Sequence, residues 1–410
     1  MTNTGKKVQY DRQNFFELAS IQSAAPGLFV IMSGKHLVSQ YGAGTVICSV
    51  ALGNLILWLV GIGVISMVDQ IRSNAIENIK NYFGKYAKFL AAVIFLIAML
   101  NGYAFEINFC VDFLSKLLGF SEEIKRMFTL RMGAGLGLLS AILSIGGIRL
   151  FKKIAVFSLP ILLAHHVYII VTSDLSVPLE GTWSFSLPII VYAILLLLPG
   201  VINFPTFFRH SCSRNHSILA LTLITLLITF LELSSIWWTS GPPINLLHTI
   251  LLLLIIIIYP TCCNLLNIYL AAACWETVSA RLGEPKWFAI LGLFGTLAYT
   301  FIQVSFPARV MQDLTNSYIA ILGVILLLAY LTRLIIKHRP KSFEKSINLA
   351  AWLFGCVIST VYEVQHFLQG NHALLAGVTG SVLFFLVVIF IEETVWATRV
   401  KWSRSSLKVD

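Results

Sequence analysis

The chain has 410 residues, 57% of them hydrophobic and 12% charged, with a mean hydropathy of +0.83. That leaves too little polar surface to close a water-soluble globule, and no hydrophilic stretch is long enough to fold as a soluble domain. The formal charge of +10 lies in short loops between apolar runs, which argues against a nucleic-acid-binding face.

Residues 1–17 are polar and basic, and no small-residue cleavage site follows the first apolar run, so they read as a cytoplasmic segment ahead of a retained first span. A bilayer crossing needs roughly 20 apolar residues, and runs of that kind predict an all-α polytopic membrane protein of about twelve spans. They fall near 19–38, 44–67, 88–114, 129–147, 151–172 and 186–208, then near 216–237, 245–275, 287–306, 314–336, 347–368 and 374–398. Together they form a single transmembrane domain over 18–399, followed by a basic tail over 400–410.

Lys and Arg concentrate in the N-terminal segment, in the loops near 68–88, 149–153, 209–214, 281–286 and 333–345, and in the tail. The other face keeps Lys116, Lys125, Arg126, Arg131 and Arg309. Cytoplasmic loops retain positive charge, so both termini are expected on the cytoplasmic side of the inner membrane. The seven cysteines lie mostly in apolar runs without the spacing of a zinc site and read as packing residues. No cofactor or metal is expected; the partners are membrane lipid and a small solute, handled by a monomer.

An ionisable or helix-breaking residue inside a span is costly unless it faces protein or water. In the first span, Ala24–Ala25–Pro26–Gly27 and Ser33–Gly34–Lys35–His36 interrupt the apolar run and set a cation beside the break. One reading is a discontinuous helix with Ser33 and Lys35 on a binding wall; the other is a proline kink with Lys35 snorkelling outward. The third span carries Asn101, Tyr103 and Glu106, the last two at i, i+3 and so expected on one face. Glu106 could pair with Lys35 or carry a proton. His165–His166 in the fifth span and Glu363 with His366 in the eleventh are further proton-handling candidates, although interhelical hydrogen bonds are a commoner fate.

The sixth span is interrupted at 198–205, making Pro199, Gly200 and Asn203 site candidates, with an ordinary kink as the alternative. The eighth offers Thr261, Cys262, Cys263, Asn264 and Asn267; its two asparagines at i, i+3 act together on a solute or tie helices. Broken helices at corresponding positions of two halves point to a transporter site, because the freed backbone groups can coordinate a solute or an ion. With no HExxH, paired catalytic aspartates or glycine-rich phosphate loop, an enzyme is not expected, and a non-transporting receptor is the other minor class.

The order of these features resembles the nucleobase:cation symporter family, the cytosine, purine and hydantoin permeases. The likeness is carried by the interrupted first span, Leu52–Gly53–Asn54, Tyr82–Phe83–Gly84, Gly102–Tyr103 and the stretch from Gly146 to Pro160. It continues through Phe207–Phe208–Arg209, where Thr206 stands in place of the family's acid, Arg214–Asn215, Asn267, Tyr269 and Gly292 to Ala298. The resemblance implies a LeuT-type fold of the amino acid-polyamine-organocation superfamily: a five-plus-five inverted repeat over about 18–172 and 185–336, two extra helices over about 347–398, and discontinuous helices one and six. It also implies a solute held at midplane between spans one, three, six and eight, with Tyr103 stacking on a planar heterocycle.

Two departures stand out. No aromatic residue lies near Leu197 to match the family's, and Cys263–Asn264 occupies the place of its Ser/Thr pair for sodium. A thiol is a poor ligand for a hard cation, so ion coupling falls to Cys263, Asn264 and Glu106, with a proton expected rather than sodium. The function implied is symport of a nucleobase-like solute into the cell, and the alternative is an amino-acid or organic-cation carrier of the same fold.

Overall fold

The computed structural model describes residues 12–68, 74–173, 183–239, 246–277, 279–305, 308–336, 341–365 and 370–406. The first crossing is broken into α1 (Phe15–Ser23), α2 (Leu28–Ile31) and α3 (Ser33–Tyr41). There follow α4 (Ala43–Val68), the short amphipathic α5 (Ala75–Phe83), α6 (Lys85–Leu117), α7 (Glu122–Ser144), α8 (Gly147–Thr172) and α9 (Leu187–Phe208). Next come α10 (Arg214–Ser234), which runs into a 3-10 turn at Ser235–Thr239, α11 (Leu246–Glu276), a second such turn at Ala280–Gly283, and α12 (Pro285–Ser305). The chain ends in α13 (Ala308–Ile335), α14 (Lys341–Gln365) and α15 (Gly370–Ser406).

Among the described residues, 10 helices are long and apolar enough to cross a membrane. The broken first crossing and α12 bring the total to the expected twelve. Phe157, Val171, Val364 and Phe390 are each more than 70% exposed, an outward apolar surface that suits lipid and not water. The chain is a multi-pass membrane protein.

The breaks in the first crossing have local causes. Asn14 opens α1 with a capping box, its side chain accepting from the Glu17 N–H (2.9 Å) while Glu17 accepts from the Asn14 N–H (3.0 Å). The helix stops at Ala24 because Pro26 lacks an N–H and Gly27 takes φ +83°, a left-handed conformation open to glycine at little cost. Upstream of α1, Gln13 is pinned to the end of α9 by backbone hydrogen bonds to His210 (2.8 Å) and from Cys212 (3.1 Å).

The sixth crossing corrects the expectation of a second discontinuous helix. α9 runs unbroken through Pro199 and Pro205. Each proline removes one donor and frees one carbonyl, and losses six residues apart leave enough of the ladder to hold the turns between them. The Asn203 side chain also donates to the Pro199 carbonyl at 3.0 Å. At the C-terminus, α15 carries helix through Ser406, into the segment read as a tail. His366 lies outside the described residues.

The chain forms two compact units. In the first, Met1–Asn78 with Ala92–Gln312, α4 packs on α9, α7 on α12, α1 on α8 and α10, and α11 on α7 and α8. Leu37, Val46, Val50, Ile189, Ala193 and Ile236 form one of its apolar cores. In the second unit, Ile79–Ala91 with Asp313–Asp410, α14 lies along α15. There Arg333 bridges to Glu344 at 2.9 Å and stacks over the Tyr82 ring at 4.1 Å.

Candidate functional site

The break in the first crossing is where buried polar chemistry collects. A Cβ placed on Gly27 would lie 2.9 Å from Glu106 Oε2 and 3.8 Å from Cys263 Sγ, so a carboxylate from α6 and a thiol from α11 face the break. Cys110, one turn along α6, donates to Glu106 Oε1 at 3.4 Å, and Asn267 Nδ2 donates to Cys263 Sγ at 3.7 Å. The structure thus joins four sequence candidates: the break, Glu106, Cys263 and Asn267. Cys110 was missed, although its i+4 spacing from Glu106 was a usable signal.

The elements that meet near the break carry several buried polar atoms with no partner within the protein: Gln22 Nε2 and Ser23 Oγ at the end of α1, Asn203 Oδ1 on α9, and Thr261 Oγ1 with both amide atoms of Asn264 on α11. Asn264 and Ser23 are fully buried. Each such group costs about 1–3 kcal/mol when left unsatisfied, a cost that a ligand lying between these elements would remove. The three elements meet, since α11 packs against both α1 and α9. Pro199 gives its carbonyl to Asn203, while the next residue, Gly200, borders open space, with nothing within 4 Å of where a Cβ would stand.

At the α3 end of the bundle lies a carboxylate that the sequence reading passed over. Glu232, on α10 and 1% exposed, accepts from Asn54 Nδ2 at 2.7 Å and from Ser33 Oγ at 3.5 Å. Asn54 Nδ2 also donates to Thr229 Oγ1 at 2.9 Å. Lys35 is anchored here by its backbone, whose N–H donates to Ser235 Oγ at 3.0 Å. Gly34 is required by close approach, because any side chain would run into the Glu232 carbonyl. Ser33 and Lys35 therefore belong to a seam between α3 and α10. Lys35 stands eight residues beyond Gly27, in a separate helical segment. The signal for Glu232 was an acid near the end of an apolar run, close to where a loop was expected.

The opposite end is tied by charge. Arg209, its side chain 5% exposed, pairs with Glu276 at 3.0 Å and donates to the Tyr269 hydroxyl at 3.3 Å, which also meets His210 Nε2 at 2.6 Å. Glu17 on α1 pairs with Lys152 on α8 at 3.1 Å. These contacts fasten the ends of α1, α8, α9 and α11.

The structure turns Tyr103 away from the break. It is fully buried, and its hydroxyl donates to the Gly137 carbonyl on α7 (2.6 Å) and meets Thr296 Oγ1 on α12 (3.1 Å). Positions i and i+3 are 60° apart around a helix, enough for Tyr103 to pack on α7 and α12 while Glu106 reaches α1 and α11. Tyr103 is therefore not brought together with the groups at the break. Asn101 is buried on α6.

No protein-family model matches the chain, and no curated protein matches it. Solved structures do. Mhp1, a nucleobase-cation-symport-1 family transporter in a closed conformation with bromovinylhydantoin bound, aligns with a TM-score of 0.60 and 16% identity over 94% of each chain. A Na+-coupled sialic acid symporter, in a substrate-bound outward-open state, aligns at 0.64 and 15% identity, covering 92% of this chain and 89% of its own. A manganese transporter of Eremococcus coleocola aligns at 0.53 and 11% identity over 92% of each chain. At these identities the likeness shows the fold, which is LeuT-type.

Proposed function

We propose that this chain is a secondary active transporter, a symporter that imports a small planar nitrogenous solute, a nucleobase or related heterocycle, by alternating access. The observation that carries the reading is Asn264: fully buried, with both amide atoms unpartnered, on the helix whose adjacent Cys263 faces the break at Gly27. A carboxamide offers one donor and one acceptor side by side, the complement of the –NH–C(=O)– edge of nucleobases and hydantoins. The solute lies between α1, α9 and α11, with Gln22, Ser23, Asn203 and Asn267 as further polar contacts. A bundle rocks against a scaffold around it, within repeats over about 18–172 and 185–336. Mhp1, with bromovinylhydantoin bound, and the two other transporters of this fold support the class.

Coupling is to protons. The carboxylate at the break is flanked by the thiols of Cys110 and Cys263, soft groups that serve a hard sodium ion poorly, whereas a carboxylate takes up a proton directly. The second reading, an amino-acid or organic-cation carrier, is favoured by the same Glu106, which would hold an ammonium group.

A thermal-shift screen of purified protein against cytosine, uracil, hydantoin, amino acids and choline separates the two, since a ligand that binds only the folded state raises its apparent stability. Stabilisation by a heterocycle is expected, and Asn264→Ala removes it. Because Asn264 makes no internal side-chain hydrogen bond, that variant loses no folding contact of this kind. Stabilisation by amino acids or choline alone would overturn the heterocycle reading.

A further inference from the structure

His165 is fully buried, and neither of its ring nitrogens has a partner. Trp238, which meets it edge-on at 5.5 Å, likewise has an unpartnered buried Nε1. A phenylalanine or leucine would pack this position without the penalty of two desolvated nitrogens, so an imidazole here calls for an explanation other than packing. Its neighbours supply one. His248, two residues into α11, lies against His165 with ring centroids 6.0 Å apart, and His166 lies against it edge-on at 5.4 Å.

His166 is held where His165 is not. The Ser234 hydroxyl spends its proton on the Leu231 carbonyl at 2.7 Å, so its oxygen accepts from His166 Nδ1–H at 2.5 Å. His166 Nε2 is then the acceptor, and takes the Tyr259 hydroxyl proton at 2.8 Å. Tyr259 in turn lies one turn before Cys263 on α11, the thiol that faces Gly27 together with Glu106. A line of imidazoles thus runs from the start of α11 to Tyr259, one helical turn from the thiol that shares the break with Glu106.

We propose that His248, His165 and His166 form a relay that delivers the coupling proton to Glu106, with His165 as its moving member. This rests on the symporter reading. His165 has no side-chain hydrogen bond to break, so turning its ring between a neighbour that gives a proton and one that takes it works only against the packing of His166, Trp238 and His248. A proton bound on His248 passes to a His165 nitrogen and then to His166 Nε2 as the Tyr259 hydroxyl swings toward Glu106. Nε2 gives that proton to Tyr259 Oη, and the tyrosine's own proton goes to the Glu106 carboxylate. One proton enters, one arrives, and every ring returns to its neutral form.

Other titratable and charged groups lie along the elements packed against α8 and along α6, whose Glu106 faces the break. α11 brings Cys262 besides His248 and Tyr259, α10 brings Glu232, and α6 brings Glu106, Cys110 and Asp112. α7 brings Glu123, Lys125, Arg126 and Arg131, with Lys125 paired to Asp112 at 3.1 Å. α1 brings Glu17, which pairs with Lys152 at the far end of α8, and the turn at Ser235–Thr239 brings none.

The test uses the full chain in proteoliposomes loaded with a pH dye, with labelled cytosine and, separately, labelled hydantoin as probe solutes. Two rates are read: solute counterflow without a gradient, which needs no net proton movement, and internal acidification driven by an inward solute gradient. Wild type is expected to show both. His165→Phe, which keeps a buried ring, and His165→Gln, which keeps hydrogen-bonding groups but does not titrate, are expected to retain counterflow and lose at least tenfold in acidification. Acidification at the wild-type rate in both variants overturns the relay, as does loss of counterflow in both, which assigns His165 a structural role. Wild-type counterflow without acidification overturns the relay and leaves transport standing. No wild-type counterflow with either probe removes the heterocycle symport reading and the relay with it.

Discussion

Gly27→Ala is the sharpest probe of the break. At φ +83° an alanine carries left-handed strain of about 1–2 kcal/mol. Its methyl would lie 2.9 Å from Glu106 Oε2, where ordinary contact begins near 3.4 Å, so the carboxylate must withdraw by at least about half an ångström. The obstacle is the flexible end of a side chain, so the stability loss stays near the strain alone. Uptake is more sensitive, because a displacement approaching 1 Å in a positioned group costs up to about 100-fold. The assay is labelled-cytosine counterflow in proteoliposomes beside the melting temperature of the purified variant.

A 10- to 100-fold fall in counterflow with a modest fall in melting temperature is expected. Glu106→Asp in the same chain withdraws the carboxylate by about one bond, 1.5 Å, and should recover part of the uptake but none of the stability. Wild-type uptake in Gly27→Ala would show that the contact between the break and Glu106 plays no part in transport.

Three further outcomes follow from the contacts around the break. Glu276→Gln takes the charge from the partner of buried Arg209, with an expected cost of about 1–3 kcal/mol and faster thiol labelling of Cys274 in a chain retaining only that cysteine; an unchanged labelling rate would mean the pair does not close this end. Glu232→Ala strands the donors on Asn54 and Ser33 and should cost about 1–3 kcal/mol, whereas Glu232→Gln keeps an acceptor and most of the stability. Equal loss in the two Glu232 variants would assign the effect to charge and not to hydrogen bonding. Tyr103→Phe removes the bonds to Gly137 and Thr296, an expected cost of about 1 kcal/mol with counterflow within twofold of wild type; abolished counterflow in a stable variant would return Tyr103 to the binding site.

Apolar run length carried the architecture. Crossing hydrocarbon leaves a backbone no partner but itself, so each run of about 20 apolar residues becomes a helix whatever its neighbours do. Pro26–Gly27 broke the first crossing for an equally local reason: a missing N–H and a left-handed φ. Pro199 and Pro205 looked the same in sequence, yet α9 stays whole, because whether a lost hydrogen bond unwinds a helix depends on what packs around it. The same holds for the site. That Glu106, Cys263 and Asn267 converge while Tyr103 turns to α7 and α12, that Glu232 is buried against Asn54 and Ser33, and that His165 keeps two free nitrogens beside a bound His166 are facts of helix rotation and contact. Spacing along one helix fixes an angle about its own axis; only the packed bundle decides which neighbour lies at that angle.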